Sequence, residues 1–110
     1  MVSRVVVRGE IWLVNLDPTM GSEIKKTRPC VIVSPPEMHD HLRTVIVAPM
    51  TTGSSPAPFR IVLTHSGKRG LILLDQIRSV HKTRLAKKVG AVSAKTLAAA
   101  LGTLQEVFAT

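Results

Sequence analysis

The sequence predicts a small, mainly β barrel that is closed by one C-terminal α-helix. Five or six short apolar segments alternate with turns rich in glycine and proline at near-regular spacing, which is typical of small all-β barrels. The last part of the chain is instead rich in alanine and carries leucines at helical spacing. With 110 residues the chain has the length of one domain, so we expect residues 1–110 to form a single unit with one modest core.

The predicted strands are bounded by residues that form turns. Gly9 precedes the first strand, and Asp17 and Pro18 follow it. Pro29 suits the first residue of the second strand, where a missing N–H does least harm. A short polar connector with room for one helical turn follows over residues 37–41. The pattern predicts strands over residues 10–16, 30–33, 43–49, 59–64 and 71–80, a basic turn over 66–70, and a short sixth strand within 84–92.

The C-terminal segment predicts a helix over residues 94–108. Ser93 precedes it, and its hydroxyl can accept a free N–H of the first turn. The large apolar side chains recur at every third or fourth position and therefore share one helical stripe: Leu97, Leu101, Leu104 and Phe108. We expect this stripe to close the barrel.

The charge balance favours a polyanion as the partner. Fifteen lysines and arginines against seven acidic residues give a net charge of +8, and residues 76–105 contain six basic side chains and no acidic one. Aromatic residues make up only 3% of the chain, which argues against binding by serial stacking of bases. The apolar runs are too short for a membrane span or a signal peptide, so we expect a cytoplasmic protein that binds no membrane.

Arg28 marks the point where a loop meets a strand. Residues 17–27 combine mixed charges and turn residues without apolar periodicity, which is typical of an exposed, mobile loop, whereas residues 30–33 are a buried apolar run. A guanidinium fixed at its base and free at its tip suits a bidentate grip on a phosphate. The alternative is a surface ion pair of Arg28 with Glu23 or Asp17, and the residues alone leave both interpretations open.

Two further positions carry candidate polar groups. Thr51 and Thr52 precede a glycine at the end of the third strand, where their hydroxyls can donate to a phosphate oxygen, although an ordinary strand end has the same composition. Asp75 shares a predicted strand face with apolar residues and must therefore be paired. It either orients Arg28 or Arg78, or it only ties two strands together.

The sequence offers little for metal or thiol chemistry. His39 and His41 flank Asp40 on the polar connector, but further ligands at metal-site spacing are missing, so we expect no metal and no cofactor. His65 lies beside a turn, with no partner visible in the sequence. Cys30 is the single cysteine, which permits no internal disulfide, and its place inside an apolar strand indicates an inert core thiol.

Several motifs taken together match one family. In chain order they are Gly-Glu-Ile-Trp-Leu-Val at 9–14, Leu-Asp-Pro-Thr at 16–19, Gly-Ser-Glu at 21–23, Thr-Arg-Pro at 27–29, Pro-Met-Thr-Thr at 49–52 and Leu-Asp-Gln-Ile-Arg at 74–78. Each motif is weak alone, but the set is specific and covers nearly the whole chain. By these motifs the sequence resembles the MazF/PemK (Kid) toxins of bacterial type II toxin–antitoxin systems, and it is closer to the MazF type.

The resemblance implies an SH3-like barrel of the CcdB/PemK kind, a homodimer, and a toxin that blocks translation and growth. The implied activity is that of an mRNA interferase, a metal-independent and ribosome-independent endoribonuclease. It would cut short sequences in single-stranded RNA and leave a 2′,3′-cyclic phosphate and a 5′-OH. The implied partners are mRNA and a cognate antitoxin with an acidic C-terminal tail, and the toxin would meet DNA only through that antitoxin.

The resemblance also implies which residues form the site. Arg28 and Thr51 fall on the catalytic arginine and threonine, and Glu23 falls on an acid linked to activity in MazF-type members. Ser22 stands where PemK-type members use a histidine and Leu73 where they use a second arginine, so the MazF-type site is the better match. We expect further RNA contacts from Lys25, Lys26, Thr52, Asp75, Gln76, Arg78 and Arg84.

Two alternative functions remain open from the sequence. A non-catalytic RNA-binding barrel of the ribosomal type would use the basic residues 78–88 equally well, and cleavage of naked RNA separates the two functions. A gyrase poison of the CcdB type shares the implied fold. Such proteins resemble one another in ending with Trp-Gly-Ile, whereas this chain ends with Val-Phe-Ala-Thr, which argues against that alternative.

Overall fold

A computed structural model of the chain describes residues 5–18, 21 and 26–110. Within this part of the chain antiparallel strands dominate and one long helix follows them, so the mainly β prediction with a C-terminal helix is confirmed. The elements are β1 (Glu10–Asn15), β2 (Thr27–Ile32), α1 (Pro36–His39), β3 (Thr44–Thr51), β4 (Arg60–His65), β5 (Lys68–Leu73), β6 (Arg78–His81), β7 (Leu85–Ala91) and α2 (Ala94–Val107), with 3-10 turns at Leu74–Gln76 and Lys82–Arg84.

The sheet is built around β3. The strands pair in the order β4-β5-β3-β2-β1-β7, and β6 pairs with β3 beside this path. β2 covers one edge of β3, while the other edge pairs with β6 over residues 44–47 and with β5 at Met50 and Thr51. Because one edge serves two partners in succession, the sheet curves into a small half-barrel.

The predicted strand over residues 71–80 is wrong, because the 3-10 turn Leu74–Gln76 divides it into β5 and β6. The two strands pair with different parts of β3, so the chain has to step sideways between them, and the turn makes that step. The described residues therefore contain seven strands rather than five or six. Apolar residues on both sides of the turn continue a strand-like pattern, which hid the break in the sequence.

The hairpin between β4 and β5 is tighter than predicted. Ser66 and Gly67 form the turn with φ angles of 52° and 75°, and Lys68 already belongs to β5. Left-handed φ angles at both central residues are the geometry of tight β-hairpins. The turn sets His65 directly opposite Lys68.

Pro29 lies inside β2 rather than at its first residue. β2 begins at Thr27 and pairs with β1 there, with Pro29 opposite Leu13. The pairing of β2 with β3 begins only at Cys30. Pro29 therefore stands just ahead of the ladder with β3, where a missing N–H is tolerated.

Two groups of buried side chains form the core. The first joins the N-terminal segment to the sheet and includes Val6, Trp12, Val47 and Leu85. The second lies between the sheet and α2 and includes Ile11, Val31, Ile72 and Ala100. Cys30 is fully buried, as predicted, and burial raises the pKa of its thiol to about 12, so it is an inert core residue.

Helix α2 begins at the predicted residue, but the last residue of the predicted apolar stripe, Phe108, does not pack on the core. Ser93 Oγ accepts the N–H of Thr96 at 3.1 Å and caps the first turn. Ala100 is fully buried, and Leu104 packs against the second core group. Phe108 lies at the C-cap, beyond the last helical residue, and is 73% exposed. The stripe therefore packs on the core in the middle of the helix and not at its end.

The polar connector forms the single turn α1, but its polar composition does not mean that every side chain is exposed, because His39 is completely buried. His39 Nδ1 lies 2.8 Å from Ser34 Oγ, and Nε2 lies 2.7 Å from the carbonyl oxygen of Val6. A carbonyl can only accept, so Nε2 donates and Ser34 donates to Nδ1. Ser34 also accepts the N–H of Ile46 at 3.1 Å, which ties the end of β2 to the start of β3.

The described residues lack two features. None of their helices is long and apolar enough to cross a membrane. No three of their histidine, cysteine, aspartate or glutamate side chains come together as ligands of one metal ion.

Candidate functional site

A pocket opens where the start of β2 meets the end of β3 and the β4–β5 hairpin. It has a volume of about 270 Å³. Pro29, Met50 and Leu63 supply apolar walls. The polar part of the lining consists of Arg28, Thr51, Thr52, His65, Ser66 and Lys68.

The sheet register brings the two predicted catalytic residues together. Cys30 pairs with Pro49 in the antiparallel ladder between β2 and β3. Continuing this register by two residues places Arg28 opposite Thr51, and both side chains line the pocket. On its other edge Arg28 pairs with Val14 of β1, which fixes the base of the exposed guanidinium within the sheet.

The backbone around Thr51 is packed closely. Thr51 Oγ1 accepts the N–H of Gly53 at 3.2 Å, which orients the hydroxyl and leaves its hydrogen to be donated. On the adjacent strand, a Cβ atom added at Gly70 would lie only 2.9 Å from the carbonyl oxygen of Thr51. Gly70 is therefore required by the close approach of β5 to the end of β3.

The described lining is cationic. Arg28 and Lys68 bring positive charge from β2 and β5, and no described lining residue is a carboxylate. Together with a hydroxyl donor, this charge suits an anion with several oxygens, such as the phosphodiester of a nucleic acid.

Asp75 lies outside this pocket. The sequence predicted that it sits on a strand face, where it either orients Arg28 or Arg78 or only ties two strands together, but it is in the 3-10 turn and pairs with Arg60. Arg60 Nε and Nη2 donate to its two carboxylate oxygens at 3.1 and 2.9 Å. Hydrogen bonding from Arg60 holds the pKa of Asp75 below its ordinary value. The pair joins β4 to the turn, which agrees with the alternative of a tie between elements.

Arg78 and Arg84, expected to contact RNA, are engaged with the backbone that leaves β1. Arg78 Nη1 donates to the carbonyl oxygen of Leu16 at 3.0 Å, and Arg84 Nη1 donates to those of Asn15 and Asp17. Both guanidiniums therefore hold the start of the segment that joins β1 to β2. Neither is among the residues that line the pocket.

The other predicted RNA contacts fall in different places. Thr52 lines the pocket. Lys26 closes the segment before β2, where its N–H donates to Asp17 Oδ1 at 2.9 Å. Gln76 lies in the 3-10 turn beside Asp75. The two remaining predictions, Glu23 and Lys25, lie outside the described residues.

Sequence reasoning missed the part of this pocket that includes His65, Lys68 and Gly70. All three come from the β4–β5 hairpin, which reaches the end of β3 only because β5 pairs with Met50 and Thr51. That pairing is non-local, so the sequence showed only a histidine and a glycine near a basic turn.

A family model decides the identity of the chain. The model of the PemK-like, MazF-like toxins of type II toxin–antitoxin systems matches residues 7–108. The chain belongs to this family. Endoribonuclease PemK of Escherichia coli is 38% identical over 106 residues, which cover 91% of this toxin and 80% of the relative. Endoribonuclease toxin MazF of Escherichia coli (strain K12) is 37% identical over 99 residues, which cover 88% and 89%.

Solved structures show the same fold. MazF from Deinococcus radiodurans matches this toxin with a TM-score of 0.83 at 26% identity, over 96% of this chain and 97% of its own. A MazE–MazF complex from the same organism gives a TM-score of 0.78 at 24% identity, over 98% and 99%. The resemblance found in the sequence is therefore confirmed, and the family that matches is neither the CcdB type nor a ribosomal protein. Since identity to PemK and to MazF is nearly equal, the expected closer likeness to the MazF type stays a prediction.

Proposed function

We propose that this toxin is an endoribonuclease whose active site is the pocket between Arg28 and Thr51. The observation that supports this most directly is that Arg28 and Thr51, which lie just beyond the β2–β3 ladder, both line one cationic pocket. The relatives that share more than a third of its residues are named endoribonucleases. The alternative of a non-catalytic RNA-binding barrel has no comparable support.

The reaction follows from the chemistry of RNA. The 2′-hydroxyl is the nucleophile, so the protein has only to position the phosphodiester, move protons and stabilise charge. Attack of the 2′-oxygen on phosphorus gives a 2′,3′-cyclic phosphate and releases a 5′-OH. Arg28 neutralises the charge that gathers on the phosphoryl oxygens, and Thr51 donates to a non-bridging oxygen. Glu23 is proposed as a third catalytic residue on the strength of the family motif alone.

The preferred substrate is single-stranded RNA. Recognition of a short sequence needs unstacked bases whose edges can be contacted, and a closed A-form helix hides those edges in a deep, narrow groove. Lys25, Lys26, Thr52 and Gln76 are proposed to contact the strand around the pocket. Arg78, Arg84 and Asp75 are proposed to act indirectly, by holding the elements that frame it.

The test is cleavage of naked RNA. Purified toxin, incubated with a long RNA in excess EDTA and without ribosomes, is expected to produce fragments whose 5′-OH ends map to one short recurring sequence. We expect that neither a metal nor another cofactor is needed, because the RNA supplies the nucleophile and Arg28 neutralises the negative charge on the phosphoryl oxygens. A 2′-deoxy nucleotide at the cut position should block the cut. Intact RNA, or activity that depends on one divalent ion, would contradict the proposal.

We also propose that the toxin acts in the cytoplasm as a homodimer and is restrained by a cognate antitoxin with an acidic C-terminal tail. The net charge of +8 and the cationic pocket suit such a tail. Exposed ion pairs contribute only roughly 0–1 kcal/mol each, so apolar anchors must add to the affinity. Removing the tail of the antitoxin should relieve the inhibition of RNA cleavage. Equal inhibition by the shortened antitoxin would rule out this mode of control.

A further inference from the structure

We propose that His65 is the general base of the reaction, the group that takes the proton from the attacking 2′-hydroxyl. This inference deepens the proposed function and rests on it. His65 lines the same pocket as Arg28 and Thr51. Two other histidines are committed elsewhere, because His39 bonds Ser34 and Val6, and His81 bonds Thr83.

The described lining contains few groups that can accept a proton. Arginine stays protonated at any physiological pH, and an uncharged threonine hydroxyl is a poor base. Lys68 is a cation and Ser66 a second hydroxyl, and no carboxylate is present in the described lining. An imidazole changes its protonation near neutral pH and is the side chain most often used for proton transfer. Among the described residues of the pocket, His65 is thus the group suited to the task.

The fold holds His65 in a defined position. It is the last residue of β4, and the tight turn at Ser66 and Gly67 sets it opposite Lys68. Its ring lies against Gly90 of β7, where an added Cβ atom would be 3.2 Å from Cε1 and 3.7 Å from Nδ1. Glycine at position 90 therefore leaves the space that the imidazole occupies. The ring therefore packs between β7 and the pocket and belongs to a strand, not to a loop.

Among the described residues, the charged groups that line the pocket with His65 are Arg28 from β2 and Lys68 from β5, while β7 presents Gly90 to the ring. In the proposed step the neutral imidazole takes the 2′-hydroxyl proton as the 2′-oxygen bonds to phosphorus. The bond from phosphorus to the 5′-oxygen breaks, and the 5′-oxygen takes a proton from water. The imidazolium then returns its proton to the solvent, so the cycle is balanced and needs no further reactant.

The experiment compares His65→Gln with His41→Gln, a matched change at an exposed histidine outside the pocket. General-base catalysis typically contributes about 100- to 10,000-fold, so His65→Gln should lower kcat by at least about 100-fold. His41→Gln should leave kcat unchanged. Binding of an uncleavable RNA with a 2′-deoxy cut site should stay within about twofold in both variants, which shows that the fold and the RNA contacts survive.

Three further readouts separate a base from a merely structural residue. The acid limb of the wild-type pH–rate profile should disappear in His65→Gln. Added imidazole should restore part of the activity of His65→Ala, in proportion to its neutral form. An RNA with sulfur in place of the 5′-oxygen at the cut, whose leaving group needs no proton, should not rescue His65→Gln. Rescue by sulfur, or an unchanged acid limb, would overturn the assignment.

Failure of this inference differs visibly from failure of the proposed function. If wild type and His65→Gln cut RNA equally well, His65 is not the base, while the endoribonuclease proposal stands. If wild type leaves every RNA intact, the proposed function itself fails. Gly90→Ala offers a second variant in case His65→Gln does not fold, since it disturbs the ring from the β7 side. It should lower kcat without weakening RNA binding, and normal kcat would count against the inference.

Discussion

The two ends of the β2–β3 ladder use their polar residues in opposite ways. At one end, called here the closed end, Ser34, His39 and Ile46 form a buried network in which each polar group has its partner within the protein. At the other, the open end, Arg28 and Thr51 face a pocket. The same pair of strands is thus anchored at one end and presents polar side chains to a pocket at the other. We therefore expect substitutions at the closed end to lower stability and substitutions at the open end to lower activity.

The strongest test of this separation lies at the open end. Arg28→Ala and Thr51→Ala should each lower the cleavage rate by about 100- to 1000-fold, the usual effect of losing one group that stabilises charge in the transition state. Arg28→Lys should also fail, because an ammonium cannot reproduce the planar fork. Cleavage of a defined RNA oligonucleotide measures the rate, and thermal unfolding should show little change in Tm.

Arg43→Ala supplies the matched control for these variants. Arg43 is exposed and is not among the residues that line the pocket. Arg43→Ala lowers the net charge by one, as Arg28→Ala does, but it should leave the cleavage rate nearly unchanged. Near-normal rates in both Arg28→Ala and Thr51→Ala would show that the open end takes no part in cleavage.

The closed end should behave in the reverse way. His39→Ala removes two buried hydrogen bonds and leaves the Ser34 hydroxyl and the Val6 carbonyl without this partner. Each buried polar group left unsatisfied costs about 1–3 kcal/mol, so we expect a loss of about 2–6 kcal/mol for the two groups. Urea unfolding measures it, with exposed His41→Ala as the control. Activity per folded molecule, assayed well below the Tm, should stay near that of wild type. A loss of activity without a loss of stability would contradict the division of the ladder.

The open end could be predicted from the sequence to a large extent. Arg28 and Thr51 stand in short motifs, and the change from a polar loop to an apolar strand marks the position of Arg28. Most of the strands, the cap at Ser93 and the inert Cys30 were also predicted, because each depends on local pattern and composition. What the sequence could not supply was the register that makes Arg28 and Thr51 neighbours.

The closed end and the hairpin were beyond sequence reasoning for one physical reason. The burial of His39 depends on Val6, far away in the chain, and the pairing of Asp75 depends on β4 lying beside the 3-10 turn. Likewise, His65 reaches the pocket only because β5 pairs with the end of β3. Such contacts arise from the three-dimensional arrangement of the strands and leave no signal in the spacing of residues along the chain.

Two carboxylates outside the ladder, Glu10 of β1 and Asp75 of the 3-10 turn, carry the smallest expected effects. Glu10 loses hydration by burial, which raises its pKa, but hydrogen bonds from Lys88, the Val7 N–H and Trp12 outweigh that effect and lower it overall. Lys88 Nζ lies 2.7 Å from Glu10 Oε2. The pKa of Asp75 is lowered first of all by its hydrogen bonds from Arg60. Both acids therefore favour the folded state more strongly when they are ionised.

The sign of the resulting pH dependence follows from these lowered pKa values. A carboxyl whose pKa is lower in the folded state contributes its full stability above its ordinary pKa near 4, and that stability is lost as the pH falls through the folded pKa. The contribution of these two carboxylates to the free energy of unfolding should thus be flat from pH 7 to about 5 and should fall below about pH 4. Glu10→Gln should flatten this fall more than Asp75→Asn, because the Glu10 side chain is 11% exposed and that of Asp75 is 31% exposed. Each effect should be about 1 kcal/mol or less, since both ion pairs are partly open to water. Urea unfolding between pH 3 and 7 gives the free energy of unfolding against pH for wild type, Glu10→Gln and Asp75→Asn. If the curve of Glu10→Gln stays parallel to that of wild type, Glu10 does not contribute to the loss of stability in acid.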